Sequence, residues 1–430
     1  MEEKFDVIIV GAGLAGSAAA YRLAQEGLEV VLIERGPYPG AKNLSGGVLY
    51  GRVLNDLIPE YWKDAPIERY ITNQRVAFIT EQAFFNIDFK NQVFSQTPYN
   101  AVSVLRGKFD RWLGEKAEEA GAMLVPGIRV DKVLIEDRRA VGVVAGDEDM
   151  RADVIIAADG ANSFLAQQVG LRGRFETGHL AVGVKELIGL PRETIEERFN
   201  LTGDEGVAYG VVGFATRGVA GGGFLYTNKE SISVGLVMHL DELIETGVKP
   251  AEVIEDFLAH PMVAPLIRGG KLLEYGAHLV PEGGLAMMPR LAMDGMLVTG
   301  DAAGLSVNNG FVVRGMDLAI ASGVAAAEAV LEAKKKNDFS AQGLSAYQRL
   351  MDESFAMKDM RTYAGAPAFM KNDRLYEAYP EMLVSLMTQI YHHDGAPKQH
   401  LVPMVMKSIK ESKLSLFDLA VDGLKGARSL

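Results

Sequence analysis

Cysteine is missing from all 430 residues of this chain. That absence excludes disulfides, thiolate-held iron–sulfur clusters and a cysteine nucleophile from the polypeptide. Long apolar runs are missing too. The longest uncharged stretch, Val7 to Tyr21, falls short of the ~18–20 residues that a membrane-spanning helix requires. Positive charge is in deficit: 44 Lys and Arg against 56 Asp and Glu leave a net charge of -12. This argues against nucleic acid as a partner and against electrostatic attachment to anionic lipid, so any membrane contact has to be apolar. Only Met1-Glu2-Glu3-Lys4 precedes the first strand-like run, which leaves no room for a cleaved leader and leads us to expect a cytoplasmic protein. There is no Gly-x-Ser-x-Gly elbow and no His-Glu-x-x-His helix. His392, His393 and His400 match no familiar ligand spacing and flank the loop-forming Asp394-Gly395-Ala396-Pro397, so no metal site is expected.

What remains is globular, at 48% hydrophobic and 23% charged residues, and long enough for two or three domains. Near its start stands Gly11-Ala12-Gly13-Leu14-Ala15-Gly16. Phe5–Val10 reads as a buried strand, Ser17–Gln25 as a helix and Glu29–Ile33 as a second strand ending at Glu34. A glycine-rich strand-to-helix turn with an acid after the second strand is a dinucleotide fingerprint: Gly11 for the tight turn, Gly13 for backbone approach to a pyrophosphate, Gly16 for close helix–strand packing, Glu34 for ribose hydroxyls. A second glycine pair, Gly46-Gly47, suggests another close approach of backbone to ligand.

Further along, Arg75–Phe89 is β-like, and Ala101–Leu105 reads as a strand leading to Arg106 and a helix that stops near Gly121. Short strands at Val125, Ile128–Val130, Val133–Ile135 and Val141–Val144 suggest a three-stranded meander. Val154–Ala158, wholly apolar, ends in Asp159-Gly160, and Gly295–Thr299 ends in Gly300-Asp301. Between about Phe175 and Gly284 alternating strands and glycine clusters suggest an antiparallel second domain, flanked by a helix at Pro250–Ala259. A small-residue helix is expected over Met316–Lys334, with the Lys334–Lys336 run at its C-terminal end, followed by helices at Ser345–Met360, Tyr379–Tyr391 and Pro403–Leu424.

Gly11 to Glu34, Arg106, Asp159-Gly160 and Gly300-Asp301 together resemble the para-hydroxybenzoate-hydroxylase-like flavoproteins. Within them, the segments Ala41–Tyr50, Gly222–Lys229, Gly269–Tyr275, Val280–Gly284 and Val313–Ala319 resemble the FixC-type members of the electron-transfer-flavoprotein:quinone oxidoreductase family over essentially the whole chain. The fold class implied is α/β: a Rossmann-type FAD-binding domain on a parallel sheet, an antiparallel β-rich quinone or substrate domain, and a helical C-terminal region. We expect residues 1–74, 101–174 and 285–340 to form the first, 75–100 and 175–284 the second, and 341–430 a partner-docking third.

The resemblance implies one FAD, contacted by the fingerprint residues including Leu14 and Ala15, by Arg35, Asn43, Ser45, Gly46 and Gly47, by Arg106, Val130 and Ala158, and by Gly310 and Phe311. Asp301 is expected on a ribityl or ribose hydroxyl, a helix N-terminus near Gly310 on the charge of the reduced flavin, and Arg314 as a tuning charge, a salt bridge to a core acid being its rival role. The resemblance also implies a quinone head group on the backbone amides of Gly221-Gly222, with Phe224, Leu225, Tyr226 and Tyr275 as walls. It implies electrons arriving from an electron-transfer flavoprotein of alpha and beta subunits and leaving to menaquinone or ubiquinone at the inner face of the cell membrane, within a complex able to split electron pairs. Single-chain members of the family hold a four-iron cluster on cysteines. Here, as in the FixC type, that cluster is expected on a separate small ferredoxin-like subunit. A geranylgeranyl-reductase-type polyprenyl reductase and an FAD-dependent aromatic hydroxylase are the competing readings.

Overall fold

The computed structural model describes residues 4–43 and 46–430. The strand Lys4–Val10 buries Val7 to Val10 completely or nearly so, as a strand flanked on both sides and covered on both faces must. Its neighbours, Glu148–Ala157 and Val30–Glu34, both run parallel to it. Met296–Val298 extends the sheet beyond one and Met123–Pro126 beyond the other. Glu148–Ala157 changes partner midway: residues 148–151 pair antiparallel with Arg139–Ala145, and residues 151–157 run parallel to the first strand. The hairpin Val130–Glu136/Arg139–Ala145 and the first part of Glu148–Ala157 thus form the meander. Val125, expected within it, belongs instead to the parallel sheet.

The nine-stranded second sheet is ordered Lys271–Pro281, Leu180–Gly189, Ser231–His239, Gly221–Thr227, Glu205–Gly213, Ile67–Ile79, Ala101–Val104, Gly47–Tyr50, with Phe84–Lys90 also on Ile67–Ile79. All its pairings are antiparallel except Glu205–Gly213 with Ile67–Ile79. The two sheets do not part at the expected boundaries. Ile67–Ile79 runs straight through position 74, and Gly47–Tyr50 and Ala101–Val104, expected with the nucleotide domain, are strands of the second sheet.

Small residues bring the helices together. The long helix Met316–Lys336 lies on Leu14–Gln25 so closely that a Cβ on Gly323 would stand 2.1 Å from the Ala15 carbonyl oxygen. Pro250–Ala259 forms as expected, with proline in its first turn. Two of the expected C-terminal helices are broken. Ser354 ends Ala346–Glu353 and caps Phe355–Thr362, its hydroxyl accepting from the Met357 N–H. Leu401–Glu411 ends at Ser412, and Ser415 opens Leu416–Ser429 in a capping box with Asp418. A serine cap ends one helix and begins the next wherever its hydroxyl offers the backbone a better partner than a continued helical turn.

Candidate functional site

The fingerprint turn is built as its spacing demands. Gly11 has φ +103°, a backbone position that side chains avoid. A Cβ on Gly16 would fall 1.9 Å from the Gly11 carbonyl oxygen, so Gly16 serves packing and does not itself line the cavity. Gly13 differs: a Cβ there would meet no protein atom within 4 Å. It opens onto a cavity of about 860 Å³, and the helix behind it presents N–H groups that no side chain caps. Glu34 is locked in place by the N–H groups of Ala12 (3.0 Å) and Gly36 (2.7 Å).

Arg35, Asn43, Gly46, Gly47, Arg106, Val130, Ala158, Asp159 and Gly160 all line this cavity with Leu14 and Ala15. So do Gly300, Asp301, Gly310 and Phe311. Ser45 and Leu44 lie outside the described residues. Asp159 accepts from the Leu165 N–H (3.0 Å) through one oxygen, while the other is buried with no protein partner, and burial pushes its pKa up. A cavity with open space at Gly13, uncapped N–H groups at the start of the helix beside it and a buried, unpartnered carboxylate oxygen at Asp159 fits a pyrophosphate and hydroxyl-bearing sugars. These are features of FAD.

Burial pushes Asp301 up, against the pull of Arg106. Arg106 stays charged because the buried Asp110 carboxylate, held bidentate at 2.7 and 2.8 Å, outweighs its own desolvation. Asn43 donates to the same Asp110 at 2.5 Å.

Gly310 is not at a helix start. Asn308 and Asn309 accept from the N–H groups of Gly310, Phe311 and Val312, closing a hairpin between Val307–Asn308 and Val313–Arg314. The long helix begins at Met316, as expected from its small residues, so the N-terminus that faces the cavity is at Gly315 and Met316 and not at Gly310. Arg314 is not a free tuning charge either. It donates to Asp317 (2.9 and 2.5 Å) and to Asp359 (2.5 Å), between the rings of Tyr50 and Phe355. The rival role, a salt bridge to a core acid, is the one the geometry favours.

At the other end of the cavity, alternation along Gly221–Thr227 turns Gly222, Phe224 and Tyr226 to one face. Phe224 and Tyr226 stack at 5.1 Å. Leu225 points the other way into the core, and Tyr275 is half exposed and outside the cavity, so neither is a wall. The backbone N–H of His239 donates to the Ala220 carbonyl at 2.9 Å, which makes Gly221 and Met238 a pair whose own N–H groups point away from each other. Gly221 therefore directs its N–H away from Ser231–His239, where it favours the ionised form of Tyr376, while Gly222 turns its N–H into the ladder. Of the expected amide pair, Gly221 is the one outside the ladder, and its N–H faces Tyr376.

Four ionisable residues are among those in the cavity that carried no sequence assignment. Lys185 shares a strand face with Gly183; burial first, and Arg106 second, lower it to about 7. Glu282, raised by burial to about 7, His239 and Tyr376 gather around the Gly221 end.

The FAD dependent oxidoreductase family matches residues 6–91, the ubiquinone-binding domain of ETF-QO residues 180–280, and the ETF-QO/FixC family C-terminal domain residues 366–430. Protein FixC of Salmonella typhi is 50% identical over 430 residues, covering 100% of both chains. The probable electron transfer flavoprotein-quinone oxidoreductase YdiS of Escherichia coli K12 is 47% identical over 429 residues, again with 100% of both chains covered. Among solved structures, the geranylgeranyl bacteriochlorophyll reductase-like protein Ta0516 of Thermoplasma acidophilum superposes with a TM-score of 0.72 over 96% of this chain and 97% of that one, at 23% identity. A halogenase PltM variant in complex with FAD gives 0.64 over 98% and 86%, at 15% identity. These two are likenesses of fold. With full-length relatives at half identity and a cavity shaped for FAD, the chain is an FAD-dependent oxidoreductase, a flavoprotein of electron transfer to quinone, and belongs to the FixC-type electron-transfer-flavoprotein:quinone oxidoreductase family.

Proposed function

We propose that this chain accepts electrons from an electron-transfer flavoprotein of alpha and beta subunits and passes them to menaquinone or ubiquinone bound beside Gly221 and Gly222. The observation that carries the reading is the continuity of one cavity from Gly13 to the Phe224–Tyr226 wall, which falls within the stretch resembling a ubiquinone-binding domain. When bound, FAD supplies reversible electron-pair chemistry. The chain's own residues receive the quinone beside Gly221 and Tyr376, and the stacked Phe224 and Tyr226 rings match a flat apolar head group.

A chain without cysteine leaves the iron–sulfur cluster to a separate ferredoxin-like subunit, in an assembly that splits electron pairs. Among the described residues no helix is long and apolar enough to cross a membrane, which agrees with attachment at the inner membrane face through exposed side chains such as Phe84, Ile87, Phe89 and Val93. The C-terminal helices, with Tyr391, Val402 and Phe417 each more than 70% exposed, are the docking surface for partners.

The test follows the two half-reactions separately. Flavin reduction by NADH is expected only with the electron-transfer flavoprotein present, since the single fingerprint serves FAD; reoxidation by a short-chain quinone is expected to slow in Gly222→Ala with FAD content unchanged. That Cβ would lie 2.9 Å from the Val211 carbonyl oxygen, so the neighbouring strand has to give way, and an unchanged melting temperature is required of the variant before its quinone rate is compared. The likeness in fold to a geranylgeranyl reductase-like protein supports a second reading. Saturation of geranylgeranyl double bonds by the reduced protein, with no quinone turnover, would establish it.

A further inference from the structure

Reducing a quinone takes two protons as well as two electrons, and the Gly221 end of the cavity holds a built source for them. Neighbouring strands bring it together. Gly221 stands opposite Met238, His239 opposite Ala181, and Leu180 opposite Pro281, so His239 and Glu282 emerge at the same sheet end as Gly221. Glu282 is 8% and His239 5% exposed. The one side-chain donor to the Glu282 carboxyl among the described residues is Asn308, at a long 3.4 Å, and the His239 Nδ1 is buried without a partner. Both residues also line a side cavity of about 20 Å³ shared with Ser306 and Asn308. That is room for one water, with polar groups enough to hold it.

We propose that Glu282 is the proton donor to the quinone bound at Gly221, and that His239, through the water between them, restores its proton from the surface side. The proposal rests on the quinone reading above. Reduced flavin, when bound, gives up the electron pair. The quinone gains both electrons, and an O–H bond forms at each carbonyl oxygen. Each proton leaves the Glu282 carboxyl, which is recharged by way of His239 from solvent. Protons shed by the flavin on oxidation return to solvent.

The charged surroundings suit the roles. Burial raises Glu282 to about 7, so it holds a proton at the pH where it has to give one. Tyr376 faces the same space, with Glu242, Glu282 and Asp373 all opposing its ionisation. His239 is lowered by burial and then by Lys371, and Asp241 pulls the other way. The Asp241–Lys371 ion pair that acts on His239 is 2.6 Å long and about one third exposed, so it reaches water.

The experiment compares two oxidants of the reduced holoprotein: a short-chain quinone, which needs protons, and ferricenium, which needs none. In Glu282→Gln, quinone reoxidation is expected to slow ~100-fold with ferricenium reoxidation and FAD content unchanged. The wild-type quinone rate is expected to fall as pH rises through about 7, and that limb to vanish in the variant. Glu282→Asp recovers part of the rate, and His239→Asn slows it about tenfold. Equal loss with both oxidants would mean a structural role and overturn the proposal, as would a full quinone rate in Glu282→Gln. A wild-type protein that reduces no quinone overturns the functional reading along with it, whereas quinone turnover that ignores Glu282 overturns the donor alone.

Discussion

Lys185 donates its Nζ to the backbone carbonyl of Gly46, and the same ammonium lies over the ring of Phe224, 5.2 Å from its centroid. One cation thus links the glycine pair expected at the flavin to the aromatic wall expected at the quinone. Lys185→Met removes a positive charge from a site where reduction adds negative charge, and the flavin midpoint potential is expected to drop by ~30 mV or more, the equivalent of about 1.4 kcal/mol for an electron pair. Spectroelectrochemistry of the two holoproteins measures it.

The same lysine sets a pH dependence in the flavin-free protein. Its folded pKa is about 7 against an ordinary 10.5, so between those values the unfolded chain binds the extra proton and stability rises with pH. Below pH 7 the full penalty of burying the charge is present. Lys185→Met is expected to raise the urea midpoint clearly at pH 6, by more than ~1.4 kcal/mol of stability, and to change it little above the window.

Gly13 and Gly16 should separate binding from folding. Gly13→Val places its side chain in open cavity, so the protein keeps its melting temperature while FAD affinity falls by at least ~100-fold, about 2.7 kcal/mol. Gly16→Val drives a Cβ into the Gly11 carbonyl and lowers the melting temperature itself. Flavin absorbance per protein, together with thermal unfolding, distinguishes them.

Arg314→Met leaves Asp317, whose side chain is 3% exposed, as a buried acid without its partner. A loss of about 3 kcal/mol in stability is expected, measured by denaturant unfolding, with little movement of the flavin potential because the guanidinium charge is already matched by two carboxylates. A large potential shift at unchanged stability would restore Arg314 as a tuning charge.

Arg314 and Lys185 mark where sequence reasoning reached and where it stopped. The fingerprint was legible because its function depends on neighbours along the chain: Gly11, Gly13 and Glu34 belong to one strand–turn–helix–strand unit. The Pro250–Ala259 helix was legible from its own proline and periodicity. Gly310 was misplaced because Asn308 and Asn309 close a hairpin by side-chain bonds that residue spacing does not display. Lys185, His239 and Glu282 were missed for a different reason. His239 and Glu282 stand at or just past strand ends and Lys185 in mid-strand, and only the register between strands far apart in sequence brings them to one cavity. The alternation Gly183, Lys185 along Leu180–Gly189 was the available signal for the first.

The close seat of Gly323 against Ala15 has a bearing on how the protein is born. A ribosome releases the fingerprint early, yet the helix that presses on it, and the Met296–Val298 strand that completes its sheet, emerge only after the whole second sheet has been synthesised. The nucleotide site is therefore finished late. Cofactor loading becomes an event of the completed polypeptide, and a chain truncated before the long helix is a precursor that cannot retain its flavin, however faithful its fingerprint.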